Sequence, residues 1–238
     1  MKRSLPYIKA GFLLVLVVFL FGFAEKRHSA RKINDVKVHF TDSENLYVPE
    51  EVVNKLLIQN NGATSGEGLE ALDLNRVESL LNAHDMIENA EVYLTLDGQL
   101  AATVSQRKPI GRAIGNSSFY LDRQGKVMPL SAYYSARVPL LTGFNEKNVS
   151  EVYPLLNQVE KDDFLKKHIT GIHRLPGGKM EVHVRGCDFD VYFGDSSRTV
   201  LKFNNFKAFY KKAQKDKKLN TYKKVNLQFG DQVVCTKK

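Results

Sequence analysis

The stretch RGCDFD, Arg185 to Asp190, sets one thiol beside two carboxylates. Asp188 and Asp190 stand two residues apart, so on a strand they share a face and could work as a general acid–base pair. The same alternation also explains them without chemistry, as a solvated face opposite Phe189 and Val191. A carboxylate next to Cys187 opposes thiolate formation and makes that thiol a poorer nucleophile. His173 and His183 flank a predicted turn and could face one side, but no third ligand for a zinc ion lies near them. Cys187 and Cys235 are far apart in the chain. They could pair in an oxidising compartment, yet two cysteines in a chain of this length read more simply as buried apolar residues. No G-x-S-x-G elbow, H-E-x-x-H pair, phosphate loop or dinucleotide loop occurs. The absence of motifs does not exclude an enzyme, but it leaves binding as the simpler account, with no catalytic residue, cofactor, metal site or small-molecule substrate expected.

The elements around these residues predict an α+β fold. INDVKVHF, Ile33 to Phe40, alternates as a strand. Pro49, Glu50 and Glu51 open a helix whose buried stripe is Val52, Val53, Leu56 and Leu57. Asn60 to Gly68 is a turn-forming loop. Asp73 or Asn75 caps a second helix with the stripe Val77, Leu80 and Leu81. A hairpin follows, with Ala90, Val92, Leu94 and Leu96 alternating, Asp97-Gly98 at its turn and a less regular return strand, Gln99 to Gln106. Pro109 ends this module. Strand, helix, helix, strand, strand is enough for a three-stranded sheet with one face covered by two helices.

Beyond it, Asp122 to Gly125 turns between strands, and RVPLLTG runs extended to a closing glycine. VSEVYPLLNQVEKDDFLKK predicts a helix bent at Pro154. Met180, Val182 and Val184, then Phe189, Val191 and Phe193, mark half-buried antiparallel strands joined after the turn Pro176-Gly177-Gly178. A helix from about Arg198 to Ala213 turns Val200, Phe203, Phe206 and Tyr210 inward and Lys202, Lys207, Lys211 and Lys212 outward. Val225, Leu227 and Phe229 alternate in the last strand. Gly230-Asp231 permits a bend or bulge before Val233 and Val234.

The chain carries a net charge of +9, and 43% of it is hydrophobic. It shows no zinc-finger spacing or RNP-like aromatic stretch, which argues against nucleic acid as the partner of its lysines. The run AGFLLVLVVFLFGFA, Ala10 to Ala24, is uncharged. A spanning helix takes about 20 apolar residues and a signal core about 7–15, so the run lies between the two. Tyr7 and Ile8 lengthen it, Lys9 can snorkel, and the basic EKRHSARK after it hinders export. Gly22-Phe23-Ala24 has the small-x-small form of a cleavage site. Length and flanks favour a retained anchor over a cleaved signal. The expected organisation is a short tail 1–9, a transmembrane signal anchor 10–24, a basic linker 25–32, a first domain 33–109 and a second domain 110–238.

Together VPEEVVNKL, the run LEALDLNRVESLLNAHDMIENAEVYLTLDGQLAATVSQRKPIG, FYLDRQGKVMPL, VPLLTG, VYFG before a helix and the closing YKKVNLQF resemble the FtsQ/DivIB family of bacterial cell-division proteins. Each motif is weak alone, and their order and spacing carry the likeness. The chain has Asp85-Met86 where the family commonly has a proline. It has Asn226 and Phe229 where an aspartate and a tyrosine are common, and Gln228 at a basic position. The resemblance implies a POTRA domain followed by a mainly antiparallel β domain with flanking helices. It further implies a retained anchor whose short tail 1–9 is cytoplasmic, both domains outside the cytoplasmic membrane at the septum, and a non-enzymatic scaffold. The implied partners are FtsB/DivIC-like and FtsL-like proteins, and the implied role is to help regulate septal peptidoglycan synthesis. A partner strand added to the last strand would meet Val225, Asn226, Leu227, Gln228, Phe229 and Gly230, and then Val233 and Val234. A POTRA-bearing transport or assembly factor and an anchored envelope hydrolase are the alternatives. The first usually continues into a membrane barrel, and the second needs a catalytic pocket.

Overall fold

The computed structural model describes residues 5–29, 35–42, 47–59, 73–95, 97–115, 117–230 and 232–238. The chain divides into two compact units, Met1–Gln106 and Arg107–Lys238. Pro109, assigned by the sequence to the end of the first module, instead opens a strand of the second, a position where its missing N–H is tolerated.

The first unit begins with helix α1, Leu5–Ser29. It extends past both ends of the expected anchor and takes residues 25–29 of the expected linker into the helix. Residues 30–32 lie outside the described residues. Among the described residues no helix is long and apolar enough to cross a membrane. Side chains in α1 are described only for residues 11–24, and these are exposed. Then follow β1 (Val36–Phe40), α2 (Glu50–Gln59), α3 (Leu74–Asn82), β2 (Ile87–Leu94) and β3 (Leu100–Gln106). The sheet order is β1-β3-β2, with β1 parallel and β2 antiparallel to β3. The predicted loop 60–68, Ile33 and Leu96 lie outside the described residues.

Val53 and Leu57 from α2 and Val77 and Leu81 from α3 are buried. Leu80, expected in that stripe, is 36% exposed, because one residue turns about 100° round a helix from Leu81. Asp73 is the cap of α3, accepting from the Arg76 N–H at 3.1 Å. β3 alternates poorly for a structural reason. Leu100, Ala102 and Val104 share one buried face, and the small Ala101 is buried on the other. At the other edge, the Asn82 amide accepts from the Ala90 N–H at 2.8 Å and donates to the Ala90 carbonyl at 3.3 Å. Glu78 accepts from the Val92 N–H at 3.3 Å. Side chains of α3 thus occupy the outer backbone of β2, a cover for an otherwise unpaired edge.

The second unit holds β4 (Pro109–Ile114), β5 (Phe119–Asp122), β6 (Val127–Met128), β7 (Leu140–Thr142), α4 (Tyr153–Glu160), α5 (Asp163–His168), β8 (Ile169–Arg174), β9 (Met180–Val184), β10 (Asp190–Gly194), α6 (Thr199–Lys215), β11 (Tyr222–Asn226) and β12 (Val234–Lys237). They form one sheet in the order β12-β11-β10-β9-β8-β7-β4-β5-β6. It is mostly antiparallel, the exceptions being β10 with β11, β4 with β7 and β7 with β8. Val182, Val191, Phe193 and Val225 from the sheet join Leu155, Leu165, Phe203 and Phe206 from the helices in one core.

Two helix expectations are corrected. Pro154 does not bend a helix. It sits in the first turn of α4, where no N–H is needed, after a 3-10 turn at Val149–Val152. The break comes at Asp162, which caps α5 by accepting from the Leu165 N–H at 3.1 Å. On α6 the inward face is Thr199, Lys202, Phe203, Phe206, Tyr210 and Ala213, whereas Val200 is 56% exposed. Phe203, Phe206 and Tyr210 stand where the stripe was expected; Val200 falls outside it and Lys202 joins it.

Candidate partner-binding site

Of the residues expected to receive a partner strand, Val225 and Leu227 are fully buried. Val225 pairs with Val191 on one side and Cys235 on the other. β11 is therefore an interior strand, and the expectation that it forms the sheet edge is overturned. Asn226 ends it, its side-chain oxygen accepting from the Gln228 N–H at 2.9 Å in place of a ladder bond. The Leu227 N–H still reaches the Tyr192 carbonyl at 2.9 Å. The chain then turns away. Gln228 packs over Gly194, and Phe229 is 47% exposed. The Gly230 carbonyl accepts from the Asn205 amide at 2.9 Å, with the Arg198 guanidinium close against its α-carbon. Asp231 lies outside the described residues. Val233 packs on the core, and Val234, 44% exposed, begins β12.

β12 is the edge. The Lys238 N–H donates to the Thr221 carbonyl at 2.9 Å. Antiparallel alternation then points the backbone of Thr236 and Val234 toward β11 and that of Cys235 and Lys237 outward. The sequence missed this because the return strand VCTK is short and half polar. Its one signal was the Gly230-Asp231 bend before Val233 and Val234.

The reactive residues do not converge. Asp190 faces His183 at 3.4 Å and Asp188 faces Lys238 at 3.3 Å, all at the surface. His173 bonds Thr142 at 2.8 Å. Among the described residues no three possible metal ligands cluster. Both cysteines are free. Burial pushes both thiols up, with Asp188 adding to the effect at Cys187. Cys235 lies on β12, two strands from the β10 that Cys187 leads into.

The lysines between residues 207 and 224 are partly committed. Lys207 pairs with Asp162, and Lys224 pairs with Glu181 at 3.4 Å while lying 4.8 Å over the Tyr192 ring. Lys202, expected in solvent, is 4% exposed. Its ammonium donates to the Asp195 carbonyl at 2.8 Å and carboxylate at 3.0 Å, and lies 5.0 Å over the Phe193 ring. Ser197 also donates to Asp195, and Ser197 and Lys202 together hold that carboxyl well below the usual range. This network pins the entry to α6, beside the Arg198 that abuts Gly230.

Residues 108–236, more than half of the chain and nearly the whole nine-stranded sheet, match the family model of FtsQ/DivIB, C-terminal related. The chain belongs to this FtsQ/DivIB-related family. Residues 31–105 match the model of a POTRA-like domain, in keeping with the strand order of the first unit. No curated protein matches the chain significantly. The family match covers β11, the loop at Phe229 and most of β12.

Proposed function

We propose that this FtsQ/DivIB-related protein is a non-enzymatic, single-pass scaffold of the bacterial division machinery that takes a strand from its partners on β12. The observation that carries the reading is the open edge of β12 at the end of a family-matched sheet. An edge strand offers main-chain donors and acceptors, which supply affinity, while alternate side chains supply register. The outward backbone belongs to Cys235 and Lys237, and the exposed Phe229 at the head of the β11–β12 loop adds an apolar anchor. Relative to the sequence expectation, the site moves from Val225–Gly230 toward Val234 and the three residues after it. FtsB/DivIC-like and FtsL-like proteins are the proposed partners, and regulation of septal peptidoglycan synthesis is the proposed consequence.

In the same proposal α1 is the retained anchor, with the N-terminus cytoplasmic and both units on the outer side of the cytoplasmic membrane at the septum. The part of α1 whose side chains are described, residues 11–24, is too short to span by itself, and the proposed anchor is the whole helix of 25 residues, about 37 Å long against a hydrocarbon core of about 30 Å. Between residues 7 and 24 its sequence has one charge, Lys9.

The experiment is recovery of partners from native membranes with the tagged full-length chain. Cys235→Pro and Lys237→Pro each remove an outward N–H and leave the β11 ladder intact. Both should fold and lose the partners. If both fold and still recover the partners in full, the β12 reading is wrong. The mature protein should also begin at or near Met1 and resist carbonate extraction. Release by carbonate would remove the anchor from the proposal.

A further inference from the structure

A separate cleft lies away from β12, just before β7 and at the start of β8. It has a volume of about 200 Å³ and opens between the sheet, α4 and α5. Its floor is apolar, formed by Ile110, Val159 and Ile169, each 3% exposed. Its rim is cationic, with Arg137, Lys166 and Arg185 arriving from three separate segments. The one carboxylate in the lining, Glu160, is already engaged by Lys166 at 3.0 Å and by Arg123. The Arg185 Nε donates to the Lys167 carbonyl at 3.1 Å, which fixes the guanidinium and leaves its terminal nitrogens to face a ligand. Arg137 is exposed and has no ion-pair partner among the described residues. Three cations in the lining thus stand against one carboxylate, which Lys166 already engages.

We propose that this cleft binds an acidic residue of an extended protein segment, with its carboxylate between Arg137 and Arg185 and its aliphatic stem on the Ile110–Val159–Ile169 floor. The rim asks for an anion, and a guanidinium pair suits a planar carboxylate. The floor asks for methylenes next to that anion. Size decides the rest. The volume equals about seven waters at ~30 Å³ each, enough for one amino-acid side chain. Whole ligands of nucleotide or drug size fill clefts of roughly 300–1,000 Å³. The lining comes from β4, α4, α5, β8 and the segments just before β7 and just after β9, with β10 and β11 between that region and β12, so it stands or falls apart from the strand-addition reading.

The test uses the full-length chain in detergent and a dye-labelled peptide of alternating Leu and Glu, read by fluorescence anisotropy. The Glu peptide should bind and its Leu–Gln counterpart should not. Arg137→Gln combined with Arg185→Gln should weaken binding at least tenfold with unchanged circular dichroism. The charge-matched control Lys211→Gln with Lys215→Gln, on the exposed face of α6, should bind as the parent does. Cys235→Pro should also bind normally, which separates this site from the β12 edge. Equal binding of the Gln peptide, an equal loss in the Lys211/Lys215 control, or no loss in the arginine variant would each overturn the proposal. So would competition by free N-acetylglutamate at the peptide's own affinity, which would make the ligand a small acid and not a protein segment.

Discussion

Truncating Lys202 distinguishes a lysine that holds the fold from the solvated lysine that helix periodicity predicts. Its side chain is 5% exposed. Lys202→Ala removes three buried methylenes beyond Cβ, about 2.4 kcal/mol at ~0.8 each. It also removes charge-assisted bonds to the Asp195 carbonyl and carboxylate. Such bonds contribute about 1.5–3 kcal/mol. The low end applies, because the Asp195 side chain is 54% exposed and water can replace part of what is lost. The sum is about 4 kcal/mol. Lys202→Met keeps the stem over Phe193 and loses only the polar part, about 1–1.5 kcal/mol. The assay is native-state hydrogen exchange of the α6 amides in the full chain, where each 1.4 kcal/mol is about tenfold in rate. Lys202→Ala should speed exchange by nearly three orders of magnitude, and Lys202→Met by about tenfold. Exchange within twofold of the parent in Lys202→Ala is what an exposed lysine would give, and it would refute the argument. Equal acceleration in both variants would show that the stem contributes nothing.

Asn82→Ala strips both backbone groups of Ala90, which is 1% exposed, of their partners, and should destabilise the first unit by about 2–3 kcal/mol in thermal unfolding. A change under 0.5 kcal/mol would mean that the β2 edge is solvated. Acid should weaken the second unit. The Arg174 hydrogen bond lowers Glu151 from its ordinary 4.5, and those from Ser197 and Lys202 lower Asp195 from 3.8. Carboxyls with depressed folded pKa values stabilise above the unfolded pKa and lose that contribution as pH falls through the folded one. Stability should therefore be level from about pH 5 to 7 and fall below about pH 4; a rise on acidification would contradict the assignment. Both Cys187 and Cys235 should alkylate in the unfolded, non-reduced protein, and a protected pair would show that the strand order misplaces them.

Local periodicity was enough for most of the elements. Val36, Val38 and Phe40, the helix openings at Pro49 and Asp73, and the alternation of Met180 to Val184 and Phe189 to Phe193 are properties of a few neighbouring residues, and the strands and helices formed where those patterns stand. The order strand, helix, helix, strand, strand was legible for the same reason. What a strand pairs with is a long-range matter, and there the pattern was silent. Leu100, Ala102, Val104 and Gln106 line one buried face of β3, and the small Ala101, buried on the other face, blurs the alternation. The alternation from Val225 to Phe229 looked like a terminal edge, yet the chain folds back through Gly230 and VCTK pairs over it. Lys202 carries the composition of a surface residue, and only the packing of the Asp195 loop against α6 supplies the carbonyl and carboxylate that let an ammonium be buried. The cleft rimmed by Arg137, Lys166 and Arg185 draws on segments nearly fifty residues apart. Residue type and spacing specify local conformation, whereas an edge, a buried ion pair and a binding cleft exist only between segments that the sheet brings together.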